Sequence, residues 1–284
     1  MNFQIPLMKI IKIPIKVLII LVGSLIPFLG NAVSQEINTW NKEDIFQVGE
    51  ELIYNVSYLG FDLGRIKIKL LQKESDSTSS WYKAVAYMDT YKGVPLVDLH
   101  SVFESTFSNE IYSKYFQARD KDNDQWKLFK YHFIYPESKV LVEESIWKSN
   151  TVNRRDTISV DTFYQDGLSL FYFARGHLRD KKQLKVPVFV NEKKGYAQIR
   201  FTGQQKNEKI KAVDYPVDVL YFDGVAEFIG VFGLTGGFEG WFSNDYAHVP
   251  ILAKMKVLIG NIRIELMEWK KPGWSPPRYS NRKK

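Results

Sequence analysis

The sequence predicts a mostly β protein: a curled antiparallel sheet, an open β-barrel-like meander, with one short covering helix. Three observations carry that prediction. Apolar and polar residues alternate with a period of two through most of the chain. Turn residues punctuate the alternation at short intervals. A single segment, 166–176, breaks to helical spacing instead.

The first strand is read at Leu52–Tyr58, where Leu52, Tyr54, Val56 and Tyr58 share one face. A Gly60-Phe61-Asp62-Leu63-Gly64 turn follows. Arg65–Leu70 then alternates, with Ile66, Ile68 and Leu70 inward and a charged face that suits water on one side of the sheet. After the polar loop 74–80, strands are predicted at 81–88, 101–107, 113–119, 126–135, 139–147 and 156–160. The segment Asp166–Gly176 is predicted as a helix laid over the sheet, with Asp166 as N-cap and Gly176 just past its end. Strands resume at 184–190, 196–204, 208–213, 216–223, 238–243, 251–258 and 261–269, the last pair joined by a two-residue turn at Gly260-Asn261. Sequential strands of this kind favour a meander, either curled into an open barrel or split into two sheets.

The ends of the chain differ from its middle. Residues 17–30 carry no charge, follow Lys9, Lys12 and Lys16, and lead to Ala32 and Ser34 in small-x-small spacing. That is the three-part pattern of a secretory signal, with cleavage between Ser34 and Gln35 and the start at Met1 or Met8. The apolar run is shorter than the ~20 residues of a spanning helix, although an uncleaved anchor is the alternative. With no cysteine to lipidate, the product is expected to be a periplasmic protein and not a lipoprotein. The expected organisation is a signal peptide at 1–34, a single β domain at 35–269, and a disordered basic tail at 270–284.

Formal net charge is +7, from 39 Lys and Arg against 32 Asp and Glu. The signal holds +3 and the tail +6, which leaves about −2 on the body. No basic groove is implied, and no nucleic-acid partner is predicted. The cationic tail has an anionic membrane surface or an envelope protein as its expected neighbour.

Candidate chemistry is sparse. Asp120, Asp122 and Asp124 form a D-x-D-x-D run, but the sixth and twelfth positions of a calcium loop hold Gln125 and Tyr131. A charged hairpin turn explains it better. His100, His132, His177 and His248 show no metal-ligand spacing. The glycines of 230–240 form no phosphate cradle, and no G-x-S-x-G surrounds Ser169. Glu143 and Glu144 are adjacent on a strand and point to opposite faces. The expectation is no metal, no cofactor and no nameable catalytic residue, so binding is preferred to catalysis.

Aromatic residues are the distinctive surplus, at 15% of the chain. Phe129, Tyr131, Phe133 and Tyr135 alternate along one strand face, Phe171 lies in the helix, and Phe228 and Trp241 flank the glycine-rich region. A large β core accommodates such residues. The sharper expectation is that these seven line a cavity for an apolar or amphipathic ligand such as lipid.

Two stretches stand out: Phe46–Val56 with the Gly60/Gly64 turn, and Gly240-Trp241-Phe242-Ser243-Asn244-Asp245 running through Pro250 to Gly260 and Leu266. Together they resemble the DUF3108 family of exported bacterial proteins. Between them, Asp166–Arg175 is similar to the family's D-x-L-S…R segment. Gly49, Glu50, Trp241, Asp245, Pro250 and Gly260 match the family pattern. Glycine and proline there have backbone explanations, Asp245 suits a turn, and Glu50 and Trp241 have none. The resemblance implies an envelope location and a mainly β fold, by analogy like the half-barrels of lipoprotein carriers, and no catalytic residue. The functional expectation is a non-enzymatic binder or carrier of an apolar ligand. The alternatives are an envelope scaffold or assembly factor acting through protein contacts, and a hydrolase whose site assembles only in the fold.

Overall fold

The computed structural model describes residues 42–280 apart from 78, 96, 97, 123, 150, 231–234 and 258. The expected signal peptide, its cleavage point and the final four residues lie outside the described residues.

The elements are α1 (Lys42–Ile45), β1 (Glu51–Tyr58), β2 (Phe61–Ser75), β3 (Ser80–Thr90), β4 (His100–Ser108), β5 (Ser113–Asp122), β6 (Gln125–Ile134), β7 (Lys139–Ile146) and β8 (Val152–Ser159). Then come α2 (Ser169–His177), β9 (Gln183–Val190), β10 (Lys193–Glu208), β11 (Val217–Ala226), β12 (Gly236–Ser243), β13 (Pro250–Lys256) and β14 (Asn261–Lys270). The fourteen strands form one antiparallel sheet in the order β8-β7-β6-β5-β4-β3-β2-β1-β14-β13-β12-β11-β10-β9. The first and last strands therefore meet at its centre. The chain meanders out to one edge at β8, crosses to the other edge at β9, and meanders back.

That single crossover carries α2. Because the sheet curls, the crossing runs through its concave side, and α2 is buried there. Leu168 and Tyr172 join the core built on β1–β4 and β11–β14, while Ala174 and Leu178 join a second core on β9–β12. The sheet does not close, yet its two edges approach. Tyr131 on β6 packs edge-on against Phe189 on β9, with ring centroids 5.2 Å apart. Arg154 on β8 donates to Glu192 in the β9–β10 turn at 2.5 Å. The Gln165 backbone pairs with Pro187 and Phe189 on β9. The mostly β, open barrel-like architecture with a covering helix is the one the alternation predicts.

Several local expectations are corrected. The first hairpin turns on two residues, Leu59-Gly60, with Tyr58 opposite Phe61. Gly64 sits within β2, where a Cβ would lie 2.4 Å from the Asp89 carbonyl oxygen. Asp166, by contrast, caps the entry to α2 as expected: its carboxylate accepts from the Leu168 and Ser169 amides and its carbonyl from the Leu170 amide, and the Ser105 and Ser113 hydroxyls also donate to the carboxylate. Gly176 is inside the helix rather than past its end, and its glycine answers to packing: a Cβ there would lie 2.5 Å from the Ile111 side chain. No separate strand forms at 208–213: β10 ends at Glu208, and the residues after it form a loop that lays Ile210, Ala212 and Val213 on the core. Lys256 pairs with Asn261 across the β13–β14 connection, so Asn261 belongs to β14 and not to a two-residue turn.

The tail is also corrected. Residues 271–280 dock onto the sheet rather than remaining disordered, and β14 itself extends through Lys270. The Asp218 amide donates to the Pro277 carbonyl at 2.7 Å, and the Tyr279 amide to Pro216 at 2.8 Å. Trp274 is buried, and Arg278 stacks over the Tyr215 ring. Three prolines and a glycine make this segment unable to form a helix or a long strand, but not unable to pack. Among the described residues no helix is long and apolar enough to cross a membrane.

Candidate functional site

The concave side holds a cavity of about 620 Å³ between the sheet and the N-terminal end of α2. Its volume falls in the range of ordinary small-ligand sites, roughly 300–1,000 Å³. Period-two alternation builds its walls: Ile66 and Ile68 on β2, Ala86 and Met88 on β3, and Phe116 and Ala118 on β5 all project inward. The two alanines matter because their small side chains leave the volume that larger residues would fill. Leu168, Leu170 and Phe171 from the helix region cover one side, and Met255 and Ile264 reach in from β13 and β14.

One end of the cavity is polar. His100, Ser101, Asp120, Lys121, Asn191 and Glu192 stand there, with Asp98 beside them. His100 has both ring nitrogens engaged, Nδ1 2.9 Å from Asp89 and Nε2 3.1 Å from Asp98. Burial raises the Asp120 carboxyl above its usual range, against the hydrogen bond it receives from Ser101. The site is thus an apolar chamber with a mixed-charge mouth.

Four of the seven predicted ligand-contacting residues line this chamber: Phe129, Tyr131, Phe171 and Phe228. The other three stand elsewhere. Phe133 is buried in the core behind the wall, stacked on Tyr135 and edge-on to Phe189. Tyr135 lies in a short 3₁₀ turn, where its hydroxyl donates to the Ser113 carbonyl at 2.8 Å. Trp241 is buried on β12 against Tyr221, with the Lys254 ammonium over its ring. Alternation assigns a face correctly but does not say where along that face the cavity stops.

The family-pattern residues do not line the chamber; Glu50 among them fastens the helix beneath it. Gly49, at φ +86°, places its amide 2.8 Å from the Leu70 carbonyl and turns Glu50 inward. Glu50 is almost wholly buried and receives Arg175 at 2.5 Å and Lys271 at 2.7 Å. Burial would push its carboxyl up, but the two cations outweigh burial and hold it below the usual carboxylate range. Arg175 also donates to the Ile45 and Ala247 carbonyls. Asp245 accepts from the Ser243 hydroxyl, the Ala247 amide and the Trp274 indole, so its carboxylate organises the turn before β13 and anchors the tail. Pro250 opens β13 opposite Phe242, and Gly260 takes φ +79° in the following loop.

Sequence reasoning missed Arg175 and Lys271 as Glu50's partners. A lone arginine inside the aromatic run of a nine-residue helix was the available signal. It also missed Ala86 and Ala118, which carry no signal until the curl is known. His248 is buried beside Arg175: its Nδ1 donates to the Arg175 carbonyl at 2.8 Å, and its Nε2 accepts from Arg179 at 3.0 Å. The Asp122–Lys127 ion pair spans the β5–β6 hairpin, the turn reading of the D-x-D-x-D run. Among the described residues no cluster of three or more potential metal ligands occurs.

Comparison with solved structures places this architecture. A crystal structure of a β-barrel-like protein of the domain of unknown function DUF1849, from Brucella abortus, aligns over 78% of this chain and 97% of its own, at 10% identity and a TM-score of 0.50. A protein with a YmcC-like fold from Bacteroides fragilis aligns over 79% and 97%, at 9% identity and a TM-score of 0.35. The first likeness concerns the fold alone. No curated protein matches the chain. The pattern of the family described as "Protein of unknown function (DUF3108)" matches residues 53–267, from within β1 to within β14, and the chain belongs to that family.

Proposed function

We propose that the protein is a non-enzymatic carrier or binder of an amphipathic molecule, whose apolar part occupies the chamber between the sheet and α2. The single observation that supports this reading is the chamber itself: about 620 Å³ walled by aliphatic and aromatic side chains and polar at one end. Tightly packed interiors contain few voids larger than a water molecule. Each buried methylene of a ligand contributes about 0.8 kcal/mol, so an acyl chain is a natural occupant. The polar mouth suits a head group that remains in water. Export to the periplasm belongs to the same reading, supported by the leader pattern of residues 1–34.

The test is mass spectrometry of organic extracts from protein purified without detergent out of its native envelope. A stoichiometric lipid-like species, absent from extracts of an Ala118→Trp variant that fills the chamber, is the expected result. A lipid-free preparation of the folded protein counts against the proposal. Cell fractionation tests the location: recovery with the cytosol contradicts it.

A further inference from the structure

Alternating strand directions bring one set of loops to one end of the sheet. β1 ends at Tyr58 and β14 begins at Asn261 on the neighbouring strand, so the Leu59-Gly60 turn and the 257–260 loop lie side by side. β4 begins at this end, and β5 and β9 finish there. His100, Lys121 and Asn191, at those strand ends, belong to the polar mouth of the chamber. The mouth and the two loop tips therefore share one end of the molecule.

The tips are apolar. Leu59 is 61% exposed, Phe61 74% and Ile259 68%. One exposed leucine on a protein surface carries no information, but three large apolar side chains on two adjoining tips do. The backbone adds a separate observation. Leu59 has φ +48° and Gly60 φ +86°, the left-handed pair of a tight two-residue hairpin turn, for which asparagine followed by glycine is favoured. Leucine at the first position is conformationally unfavourable and leaves most of its side chain exposed. Unfavourable backbone held at an exposed tip is the kind of feature that points to use.

The surroundings specify the partner. Lys211, Lys254 and Arg263 stand behind the tips with Asp62 and Glu265, Arg263 pairing with Glu265 at 2.5 Å, and Lys256 faces Asn261 at the start of the second tip. Leu59, Gly60, Lys211, Lys254 and Arg263 also line a groove of about 640 Å³ directly behind them. Protruding apolar tips backed by cations match a bilayer interface, where the tips enter the apolar region and the cations meet anionic head groups. We infer that the Leu59, Phe61 and Ile259 tips dock this end of the protein onto an anionic lipid bilayer. Docking presents the chamber mouth to the membrane, but it is measured without any cargo and stands or falls separately from the carrier reading.

The experiment is flotation of the protein lacking residues 1–34 with vesicles of phosphatidylglycerol and phosphatidylethanolamine, and with vesicles of phosphatidylcholine alone. The wild type is expected to float with the anionic vesicles, with binding falling as salt rises from 0.1 to 0.5 M. The Leu59→Ser/Phe61→Ser/Ile259→Ser variant is expected to lose at least tenfold in partitioning, as is Lys254→Glu/Lys256→Glu, each with an unchanged circular dichroism spectrum. Ala118→Trp should float like the wild type. Absence of wild-type flotation, equal flotation of the triple-serine variant, or envelope association that requires a protein partner overturns the inference. Flotation without uptake of an apolar probe would remove the carrier reading and leave docking in place.

Discussion

Glu50 and Arg175, 125 residues apart in sequence, form a fully buried ion pair, with Arg175 Nη1 2.5 Å from Glu50 Oε1. Lys271 completes it from the other side. Three parts of the chain meet there: the entry to β1, the helix on the crossover, and the segment after β14. The guanidinium is surrounded by the Phe46, Phe171 and Tyr172 rings at 5.6, 5.9 and 5.6 Å. Phe171 also lines the chamber, so the network that fixes α2 fixes one wall of the site.

A buried charge left without its partner is costly, whereas replacing a whole network by apolar residues is often neutral. Glu50→Ala is expected to lower unfolding free energy in urea by about 3–5 kcal/mol, a large share of the roughly 5–15 kcal/mol of a typical domain. Arg175→Met should cost a similar amount. The combined Glu50→Leu/Arg175→Met/Lys271→Met variant should recover most of the loss. Equal stability of wild type and Glu50→Ala would show that the pair does not hold the helix.

The pH dependence of stability has a marked contributor in His248. Burial holds its ring down at about 4, with the neighbouring Arg179 and Arg175 charges acting in the same direction against the bond to the Arg175 carbonyl. In the unfolded chain the ring titrates near 6.5. Between these values the unfolded state binds the proton and the folded state does not. Stability therefore falls as pH drops from about 6.5 to about 4, by roughly 3 kcal/mol from this group. Glu50, held low, adds its own loss only at more acid pH. Urea midpoints across pH 4–7 should show a slope that a His248→Gln variant flattens; an unchanged slope would exclude His248 as its source.

The docked tail predicts that truncation is severe. Ending the chain after Lys270 removes Lys271 from Glu50, Trp274 from the core and from Asp245, and the bridge between Arg278 and Val217. Thermal unfolding should show a loss of at least about 3 kcal/mol, on the scale of removing one buried charge partner. Trp274→Ala alone should cost about 3 kcal/mol, within the range of truncating a large buried aromatic. A truncated protein as stable as the full chain would contradict the docking of this segment.

Close strand packing makes a narrower prediction at Gly224. A Cβ there would lie 2.2 Å from the Gln198 carbonyl oxygen and 2.4 Å from the Phe238 ring. Gly224→Ala should destabilise by about 1–3 kcal/mol, the cost of overpacking, where an exposed strand alanine would be nearly neutral. Chemical denaturation distinguishes the two.

Much of the fold was legible in the residues because alternation reports directly on a half-buried sheet. Leu52, Tyr54 and Val56 on β1 are buried as their spacing predicts. The edge strand β8 was legible only in part, since every residue of Val152–Ser159 is at least partly exposed and no face alternates. The tail was misread because its prolines and charge look like disorder, while its burial depends on Glu50, Asp245 and Pro216, far away in sequence. The site was half legible for a related reason. Phe129 and Tyr131 could be placed on the inward face, but the limits of the chamber depend on α2 crossing beneath them and on alanines at 86 and 118. Those are properties of tertiary geometry, not of local pattern.

The most direct test of the chamber as a binding site is an equilibrium titration of delipidated protein with a fluorescent long-chain fatty acid, repeated on Ala118→Trp. Saturable one-to-one binding in the wild type, weakened at least tenfold by the tryptophan in a variant of undiminished thermal stability, is the predicted result. Non-saturable partitioning, or equal affinity in both proteins, would contradict it.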